Sequence, residues 1–329
     1  MRKPGFAILV LVIVIFIIPV NGLQISHTPV FSGESAYNFL LDQCDFGPRP
    51  PGSQNLSNCR AFMAETLESF GWNVLLQNFT YLDVNCSNVI ATWGTSNAPI
   101  ILGAHFDTRP RATSDSAENQ SKPILGANDG ASGTAVLLEL ARILPESVRS
   151  NVELVFFDAE DSGGINGWDW IQGSKYYVSQ LSVSRKDTIN AMILVDMVGD
   201  ANLKLPREAS STDSLQNEIW NIAKFLNYNS TFLESGGSSV FDDHRPFLDA
   251  HIPALDLIQV PFPWYWHTLE DTPDKCSGES LQIVGSVLEV FVVEYDTGTF
   301  PLDTPYLLYG SIIAISLLII VVIYIRMKR

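Results

Sequence analysis

The strongest constraint on the fold is an alternation of short apolar segments with segments of helical spacing. The apolar segments are largely continuous runs, as is typical of strands buried on both faces, and they span residues 99–104, 152–157, 191–195 and 252–258. The helical segments span residues 131–144, 214–226 and 281–295. This alternation predicts an α/β domain with a central, mostly parallel, mixed and twisted sheet flanked by helices.

The region ahead of this alternation has a different pattern. It predicts helices and strands in pairs, with helices at residues 36–43 and 58–70 and strands at residues 74–79 and 88–92. A Gly- and Pro-rich break at residues 46–53 separates the two helices. No period of roughly 20 to 50 residues recurs, which argues against a solenoid. We therefore expect one domain over residues 30–298.

Composition excludes some classes of function. The chain has 36 acidic and 20 basic residues and a net charge of −16, which disfavours nucleic acid as a partner because nucleic acid binding needs clustered Lys and Arg. Hydrophobic residues at 46% argue against a disordered chain. The acidic excess is either a solvated surface or, in part, a set of carboxylates gathered in a metal-binding cleft.

Both ends of the chain have the composition of membrane-targeting segments. Residues 1–22 combine basic residues with an apolar run, which predicts a signal peptide or a signal anchor. Residues 306–325 are uncharged and long enough for a transmembrane helix. The basic residues within 326–329 predict a cytoplasmic tail. We therefore expect a membrane protein with a single-pass C-terminal anchor, with or without an N-terminal one, and an extracytoplasmic domain over residues 30–298.

Two further features agree with that location. Sequons for N-glycosylation predict a glycoprotein and begin at Asn55, Asn78, Asn85, Asn119 and Asn229. The four cysteines lack C-x-x-C spacing, which favours disulfides over a structural zinc site, and they are Cys44, Cys59, Cys86 and Cys276. Four cysteines allow three pairings, and the sequence does not select among them.

Histidine and acidic residues gather where the predicted strands end and helices begin. They are His105, Asp129, Glu160, Asp161 and Asp196, and His267 follows the last predicted strand. Because functional groups collect at the carboxyl ends of parallel strands, we expect these side chains to lie together. Carboxylates and imidazoles are ligands that Zn²⁺ accepts. In the Glu160–Asp161 pair, one carboxylate can bind metal while its neighbour acts as a general base.

Five ordered segments make the sequence similar to the zinc aminopeptidase and glutaminyl cyclase clan. They are residues 104–107, 126–133, 156–161, 195–199 and 266–268, and the resemblance covers residues 36–295. It implies a zinc-exopeptidase architecture. It also implies a zinc site formed by Asp129, Asp161 and His267. In the aminopeptidase branch, the resemblance implies a second metal site that shares Asp129 and is completed by His105 and Asp196. Glu160 would be the general acid/base.

One position departs from the aminopeptidase pattern. Many aminopeptidases have Glu-Glu where this chain has Glu160–Asp161. Aspartate is one methylene shorter, so we expect the metal to lie closer to the preceding strand, and Asp161 remains a good ligand. The resemblance leaves open whether one or two zinc ions bind.

The two branches act on a free peptide N-terminus in different ways. A glutaminyl cyclase converts N-terminal Gln to pyroglutamate and releases ammonia, whereas an aminopeptidase hydrolyses the first peptide bond. Segments 261–268 and 241–248 resemble the cyclase branch and imply that Trp266 lines the substrate pocket and that Asp242 joins a catalytic network with Glu160. A tryptophan after Asp161, taken as Trp168 with Trp170 as the other candidate, is expected in the same pocket. Asp256 departs from animal cyclases, which have His there.

We therefore expect an enzyme, with glutaminyl-peptide cyclotransferase as the leading hypothesis and zinc aminopeptidase as the alternative. A non-catalytic, receptor-like ectodomain on the same fold is a third hypothesis. Relatives of that kind lose metal ligands, and this chain retains all of them. The expected partners are peptides or proteins with a free N-terminus, and the oligomeric state is left open.

Overall fold

The computed structural model describes residues 25–94 and 97–295. The segments predicted at residues 1–22, 306–325 and 326–329 lie outside the described residues. Within the described residues, no helix combines the length and the apolar character needed to cross a membrane.

A six-stranded mixed sheet forms the centre of the domain, and a two-stranded parallel sheet lies beside it. The strands are β1 (Asn73–Tyr81), β2 (Val84–Thr92), β3 (Ile100–His105), β4 (Val152–Phe157), β5 (Ala191–Asp196), β6 (Leu205–Arg207), β7 (Phe232–Gly236) and β8 (Ala254–Ile258). The central order is β1-β2-β4-β3-β5-β8, with β4, β3, β5 and β8 parallel and β1 and β2 antiparallel to their neighbours. The predicted mixed sheet is confirmed.

Helices cover both faces of this sheet. They are α1 (Gly33–Asp45), α2 (Gln54–Ser69), α3 (Ala131–Ile143), α4 (Glu146–Arg149), α5 (Gln172–Gln180), α6 (Val183–Lys186), α7 (Asp213–Phe225), α8 (Arg245–Asp249) and α9 (Gly278–Tyr295), with a 3₁₀ turn at Pro273–Lys275. Leu102 and Ile193 share one apolar core with α1, α3 and α9. Ile101 and Met192 point to the other face and pack near Phe247 of α8. Each fully buried side chain of this size contributes about 1.5–3 kcal/mol.

The predicted elements differ from the observed ones mainly at their ends. Residues 152–157 form β4 as predicted, whereas α2 begins at Gln54 rather than at residue 58. The earlier start follows from Ser53, whose Oγ accepts a hydrogen bond from the N–H of Leu56 at 3.1 Å and so caps the helix. The short elements β6, β7, α5 and α8 were not predicted, because short segments carry little periodicity.

The expected disulfides are not formed between the described cysteines. Cys44, Cys59, Cys86 and Cys276 are all buried free thiols. They lie on separate elements and pack against apolar neighbours, as Cys59 does with its Sγ 3.9 Å from Sδ of Met63. Burial raises the pKa of Cys44 and of Cys59 to about 11, so both remain protonated and behave as small apolar side chains.

The order of the strands creates a crevice at one edge of the sheet. The chain passes from β3 to β4 on one side and then returns across β3 to β5 on the other side. In open α/β sheets a ligand site forms at the carboxyl ends of the strands where the order reverses in this way. Helix α3 starts beside β5, where a β-carbon at Gly133 would collide with the carbonyl oxygen of Val195.

Candidate metal centre and active site

Three side chains from different parts of the fold form a first group of metal-type ligands. Asp129 precedes α3, Asp161 follows β4, and His267 lies in the loop after β8. Nε2 of His267 is 3.4 Å from Oδ2 of Asp129 and 3.2 Å from Oδ1 of Asp161. All three residues are buried, and one ligand atom from each lies within 4.8 Å of the others.

A second group shares Asp129 with the first. His105 and Asp196 end β3 and β5, which are adjacent parallel strands. Nε2 of His105 is 3.2 Å from Oδ1 of Asp129 and 3.1 Å from Oδ1 of Asp196. The three ligand atoms also lie within 4.8 Å of one another. The sequence-predicted ligands are thus brought together in two groups joined by one carboxylate.

The unpaired atoms of these groups fit a cation. Oδ2 of Asp129 and Oδ2 of Asp161 are buried and lack a hydrogen-bond partner among the described residues. A buried charged oxygen without a partner is costly, and coordination to a metal removes that cost. The donor set of carboxylate oxygens and imidazole nitrogens matches zinc.

Sharp backbone turns aim several of these side chains. Ala159, immediately before Glu160, has φ of +61°, Met197, immediately after Asp196, has φ of +45°, and His267 itself has φ of +58°. Left-handed conformations are uncommon for residues with a β-carbon and concentrate at functional sites. The turns explain why the strand ends deliver their side chains into one crevice.

Two further aspartates, missed in the sequence, hold the backbone of the ligands. Asp107 accepts hydrogen bonds from the N–H groups of Glu160 at 3.0 Å and Asp161 at 3.1 Å. Asp271 accepts from the N–H of Asp129 at 3.1 Å and from that of the preceding residue at 2.8 Å. The sequence signal that could have identified them is their position: Asp107 is two residues after His105, and Asp271 is four residues after His267. Each carboxylate fixes a turn that carries a ligand.

Glu160 and Asp242 form the acidic wall of a cavity above the first group. The cavity encloses about 510 Å³. Burial raises the pKa of the Glu160 carboxyl well above its usual range; Asp242 and Asp161 add to the rise, and His105 opposes it. Burial likewise raises the pKa of Asp242, and Asp196 adds to that rise. A carboxyl group whose pKa is raised in this way holds a proton more readily than an exposed carboxylate, as an acid/base group requires.

A comparison with models of protein families identifies the family of this chain. The model for peptidase family M28 matches residues 88–292, which include every ligand described above. The chain belongs to peptidase family M28.

Relatives within this wider group carry two kinds of description. A glutaminyl-peptide cyclotransferase-like protein of Bos taurus is 29% identical over 75% of this chain and 72% of its own length. A Bacteroides thetaiotaomicron glutaminyl cyclase, solved with N-acetylhistamine bound, is 32% identical, with 81% of this chain and 99% of that chain covered and a TM-score of 0.74. A Zn-dependent exopeptidase of Parabacteroides distasonis is 28% identical, with 81% and 99% covered and a TM-score of 0.74.

In this M28 chain the cavity that Glu160 and Asp242 line is also lined by aromatic rings. Trp266 lies in it as predicted, and its ring stacks on His267 with centroids 3.6 Å apart. Phe262 stacks on Trp266 at 4.5 Å, and Phe241 and Trp170 also line the cavity. The remainder of the wall includes Val240, Ile258 and Val260.

Of the two candidate tryptophans, Trp168 is not among the residues that line this cavity, whereas Trp170 is. Trp168 packs edge-on against Tyr81 of β1, with ring centroids 5.2 Å apart. Trp170 takes the expected place and stacks parallel to His267 at 6.2 Å. The reason is a tight turn in which the N–H of Trp168 donates to the carbonyl of Ile165, so that positions 168 and 170 face different parts of the molecule.

The departure at Asp256 lies directly behind the acidic wall. Asp256 is fully buried, and neither of its carboxylate oxygens has a hydrogen-bond partner among the described residues. Its Oδ2 is 3.5 Å from Nδ1 of His244. Burial raises the pKa of Asp256 well above its usual range, and Asp242 and Asp196 add to the rise. This M28 chain therefore has a protonatable carboxyl behind Asp242.

Proposed function

We propose that the chain is a glutaminyl-peptide cyclotransferase, which cyclises an N-terminal Gln and releases ammonia. The observation that carries the proposal is an aromatic wall beside His267 in the cavity that Glu160 also lines. Trp266 and Trp170 each stack on His267, and Phe262 stacks on Trp266. An apolar slot beside a metal ligand suits a neutral carboxamide side chain. The names of the bovine and Bacteroides relatives support the same reaction.

We propose zinc as the metal, held by Asp129, Asp161 and His267. Bound there, zinc would act as a Lewis acid on the carboxamide of the substrate. The unpartnered oxygens of Asp129 and Asp161 support this placement, as does the zinc-dependent relative. Whether His105 and Asp196 hold a second ion is a separate question, because cyclisation requires one.

The residues around the cavity then divide the chemistry. The α-amine of the substrate attacks the carbonyl carbon of its own side-chain amide; a C–N bond forms, and the bond to the departing nitrogen breaks. Glu160 accepts the proton from the amine and returns it to that nitrogen, so ammonia leaves and the balance of protons is kept. Asp242, whose charge raises the pKa of Glu160, helps Glu160 to hold the proton between the two steps. The aromatic wall excludes water and keeps amine and amide in contact.

Aminopeptidase activity is the second candidate, and one observation favours it. Asp129 joins two complete ligand groups, an arrangement that suits a pair of metal ions and water activation. The description of the family as peptidases and the exopeptidase relative agree with this alternative.

The two reactions have different products, so one assay separates them. Full-length protein in detergent, loaded with zinc, is offered a peptide that begins with Gln and another that begins with Leu. We expect ammonia and a blocked N-terminus from the first peptide and no free leucine from the second. Free leucine without ammonia would establish the alternative. Neither product from zinc-loaded protein would support the receptor-like hypothesis.

We also propose that residues 306–325 anchor the domain, with residues 326–329 inside, residues 1–22 acting as signal peptide or anchor, and the catalytic domain outside. The N–H of Ser26 donates to Glu294 at 2.7 Å, and the side-chain amide of Asn190, just before β5, donates to Tyr295 at 2.7 Å. Both ends of the described body therefore lie at the edge where the strands begin. The active site lies at the opposite edge and would face away from the bilayer.

This topology has a direct test. Sequon residues Asn78, Asn85 and Asn229 are exposed, so we expect a glycosidase-sensitive mass shift and retention in the membrane pellet at alkaline pH. Release of the intact chain at alkaline pH without glycans would contradict the proposal.

A further inference from the structure

Arg109 is a buried cation beside the first ligand group that the mechanism above does not use. It is 6% exposed. Its Nη1 donates to Oδ1 of Asp161 at 3.0 Å and to the main-chain carbonyl of the same residue at 3.3 Å. Nε donates to Thr113 at 2.8 Å, and Nη2 donates to the carbonyl of Gly163 at 3.3 Å. The guanidinium is therefore held on three sides.

The same guanidinium lies over an aromatic ring of the pocket. Its central carbon is 4.7 Å from the ring centre of Trp170. Trp170 stacks parallel to His267, with an interplanar angle of 9°. His267 in turn lies 3.2 Å from Oδ1 of Asp161, the oxygen that Arg109 binds. Arg109, Asp161, His267 and Trp170 thus form a closed ring of contacts, which we name the arginine ring.

We propose that Arg109 is a positioning residue that ties the aromatic pocket wall to the metal ligands Asp161 and His267. The inference rests on the proposed metal site, and it assigns Arg109 two linked effects. It occupies one oxygen of Asp161 and leaves Oδ2, which is buried without a hydrogen-bond partner among the described residues, for the metal. It also packs over the ring of Trp170, which stacks parallel to His267.

Arginine suits this place for physical reasons that lysine does not share. A planar guanidinium can donate in several directions within its plane while its face stacks on an indole, and it keeps its charge when buried. A lysine ammonium offers neither the fork nor the flat face. Groups that orient metal ligands without touching the metal change metal affinity by about 10- to 100-fold when they are mutated.

Two substitutions separate the charge of Arg109 from its shape. In Arg109→Lys the charge remains but stacking on Trp170 is lost, so we expect KM for a Gln-initiated peptide to rise more than zinc affinity falls. In Arg109→Met both are lost, so we expect zinc affinity to fall by about 10- to 100-fold as well. Zinc affinity is measured on metal-stripped protein by competition with a chelating dye, which requires no turnover.

Arg149→Met is the matched control. Arg149 is 8% exposed, and its guanidinium lies 4.6 Å from the ring centre of Trp93, but its hydrogen bonds go to main-chain carbonyls away from the ligands. We expect this variant to lower the melting temperature without changing zinc affinity. Equal loss of zinc affinity in Arg109→Met and Arg149→Met, or unchanged zinc affinity in Arg109→Met, would overturn the proposal.

A double-mutant cycle tests the link through Trp170. If the ring couples the pocket to the ligands, Arg109→Lys and Trp170→Leu together should change KM by less than the product of their separate effects. Independent effects on KM would refute the coupling. If no peptide is turned over, the proposed function fails, and the same cycle is read in zinc affinity, which still decides the role of Arg109.

Discussion

The two ligand groups share Asp129 but have opposite electrostatic surroundings. The group of Asp161 and His267 is bordered by the Arg109 guanidinium and by aromatic rings. The group of His105 and Asp196 is bordered by further carboxylates, including Asp107, whose Oδ1 is 3.5 Å from Nδ1 of His105. Arg109 offsets part of the charge of the first group, whereas no Lys or Arg side chain among the described residues forms an ion pair with Asp196 of the second group.

In both groups the neighbouring carboxylates raise the pKa of the histidine. Burial alone would lower the pKa of His267, but Asp161 and Asp129 raise it to about 9. Burial would also lower the pKa of His105, but Asp196, Asp107 and Asp129 raise it well above its usual range. All three ligands of the first group, Asp129, Asp161 and His267, line the cavity, whereas His105 of the second group is not among its lining residues. We infer that the first group is the resident metal site and the second is optional.

The largest expected effect compares His267→Ala with His105→Ala. Loss of His267 removes a ligand of the resident site, so we expect bound zinc to be lost and cyclisation to fall by at least about 10³-fold, comparable with the loss of an acid/base group. Loss of His105 should leave one zinc per chain. Zinc content by elemental analysis and ammonia release measure both. Equal zinc loss in the two variants would remove the distinction between the groups.

The general acid/base is tested by Glu160→Gln. Gln is isosteric but cannot accept the amine proton, so turnover should fall by about 10²- to 10⁴-fold. Zinc content and melting temperature should stay close to those of the parent, because Glu160 is placed beside the ligands and not among them. A fully active variant would exclude the proposed proton transfer.

The pH dependence of zinc binding sharpens the same comparison. With the pKa of His267 raised to about 9, the metal-free protein carries a proton there at neutral pH, and zinc must displace it. Affinity should therefore rise about tenfold per pH unit as the pH is raised toward 9, and then level off. Titration of stripped protein with a chelating dye between pH 6 and 9 measures this slope. A flat profile would show that the proton is absent from the ligand group.

Most of the metal-type ligands were predictable, because the sequence shows where the buried apolar strands end. His105 and Asp196 each end a buried strand, and parallel pairing of β3 with β5 brings such ends together. Asp107, Arg109 and Asp271 were not singled out, because their partners depend on how loops fold back over the crevice. Short elements such as α8 were missed for a related reason: five residues do not complete two helical turns.

A smaller effect is expected from the two aspartates that hold the ligand backbone. Asp107→Asn and Asp271→Asn each replace one carboxylate oxygen by an NH₂ group, which cannot accept a hydrogen bond from a main-chain N–H. We expect the loss of that hydrogen bond to lower the stability of the turn by about 1–3 kcal/mol. The main-chain hydrogen bonds to the Asp107 carboxylate come from the Glu160–Asp161 turn, and its contact with His105 of the second group is longer, at 3.5 Å, whereas Asp271 supports Asp129, which belongs to both groups. Asp271→Asn should therefore weaken any second metal as well as the first. Metal titrations that follow both ions compare the variants, and identical effects on the two ions in both variants would contradict this division.

The smallest expected effect concerns two tryptophans that are two positions apart. Trp170→Ala removes a pocket wall that also packs on His267, so KM for a Gln-initiated peptide should rise by about tenfold, in line with the loss of one to two kcal/mol of stacking and burial. Trp168→Ala removes a ring that packs on Tyr81 outside the cavity, so KM should stay within about twofold, as expected for a surface substitution. Steady-state kinetics measure KM for both variants. A raised KM in Trp168→Ala together with an unchanged KM in Trp170→Ala would show that Trp168, which the sequence favoured, lines the pocket. Since both rings lie on the same turn, a change in KM confined to Trp170→Ala would show that the direction of the side chain, rather than the disturbance of the turn, determines substrate binding.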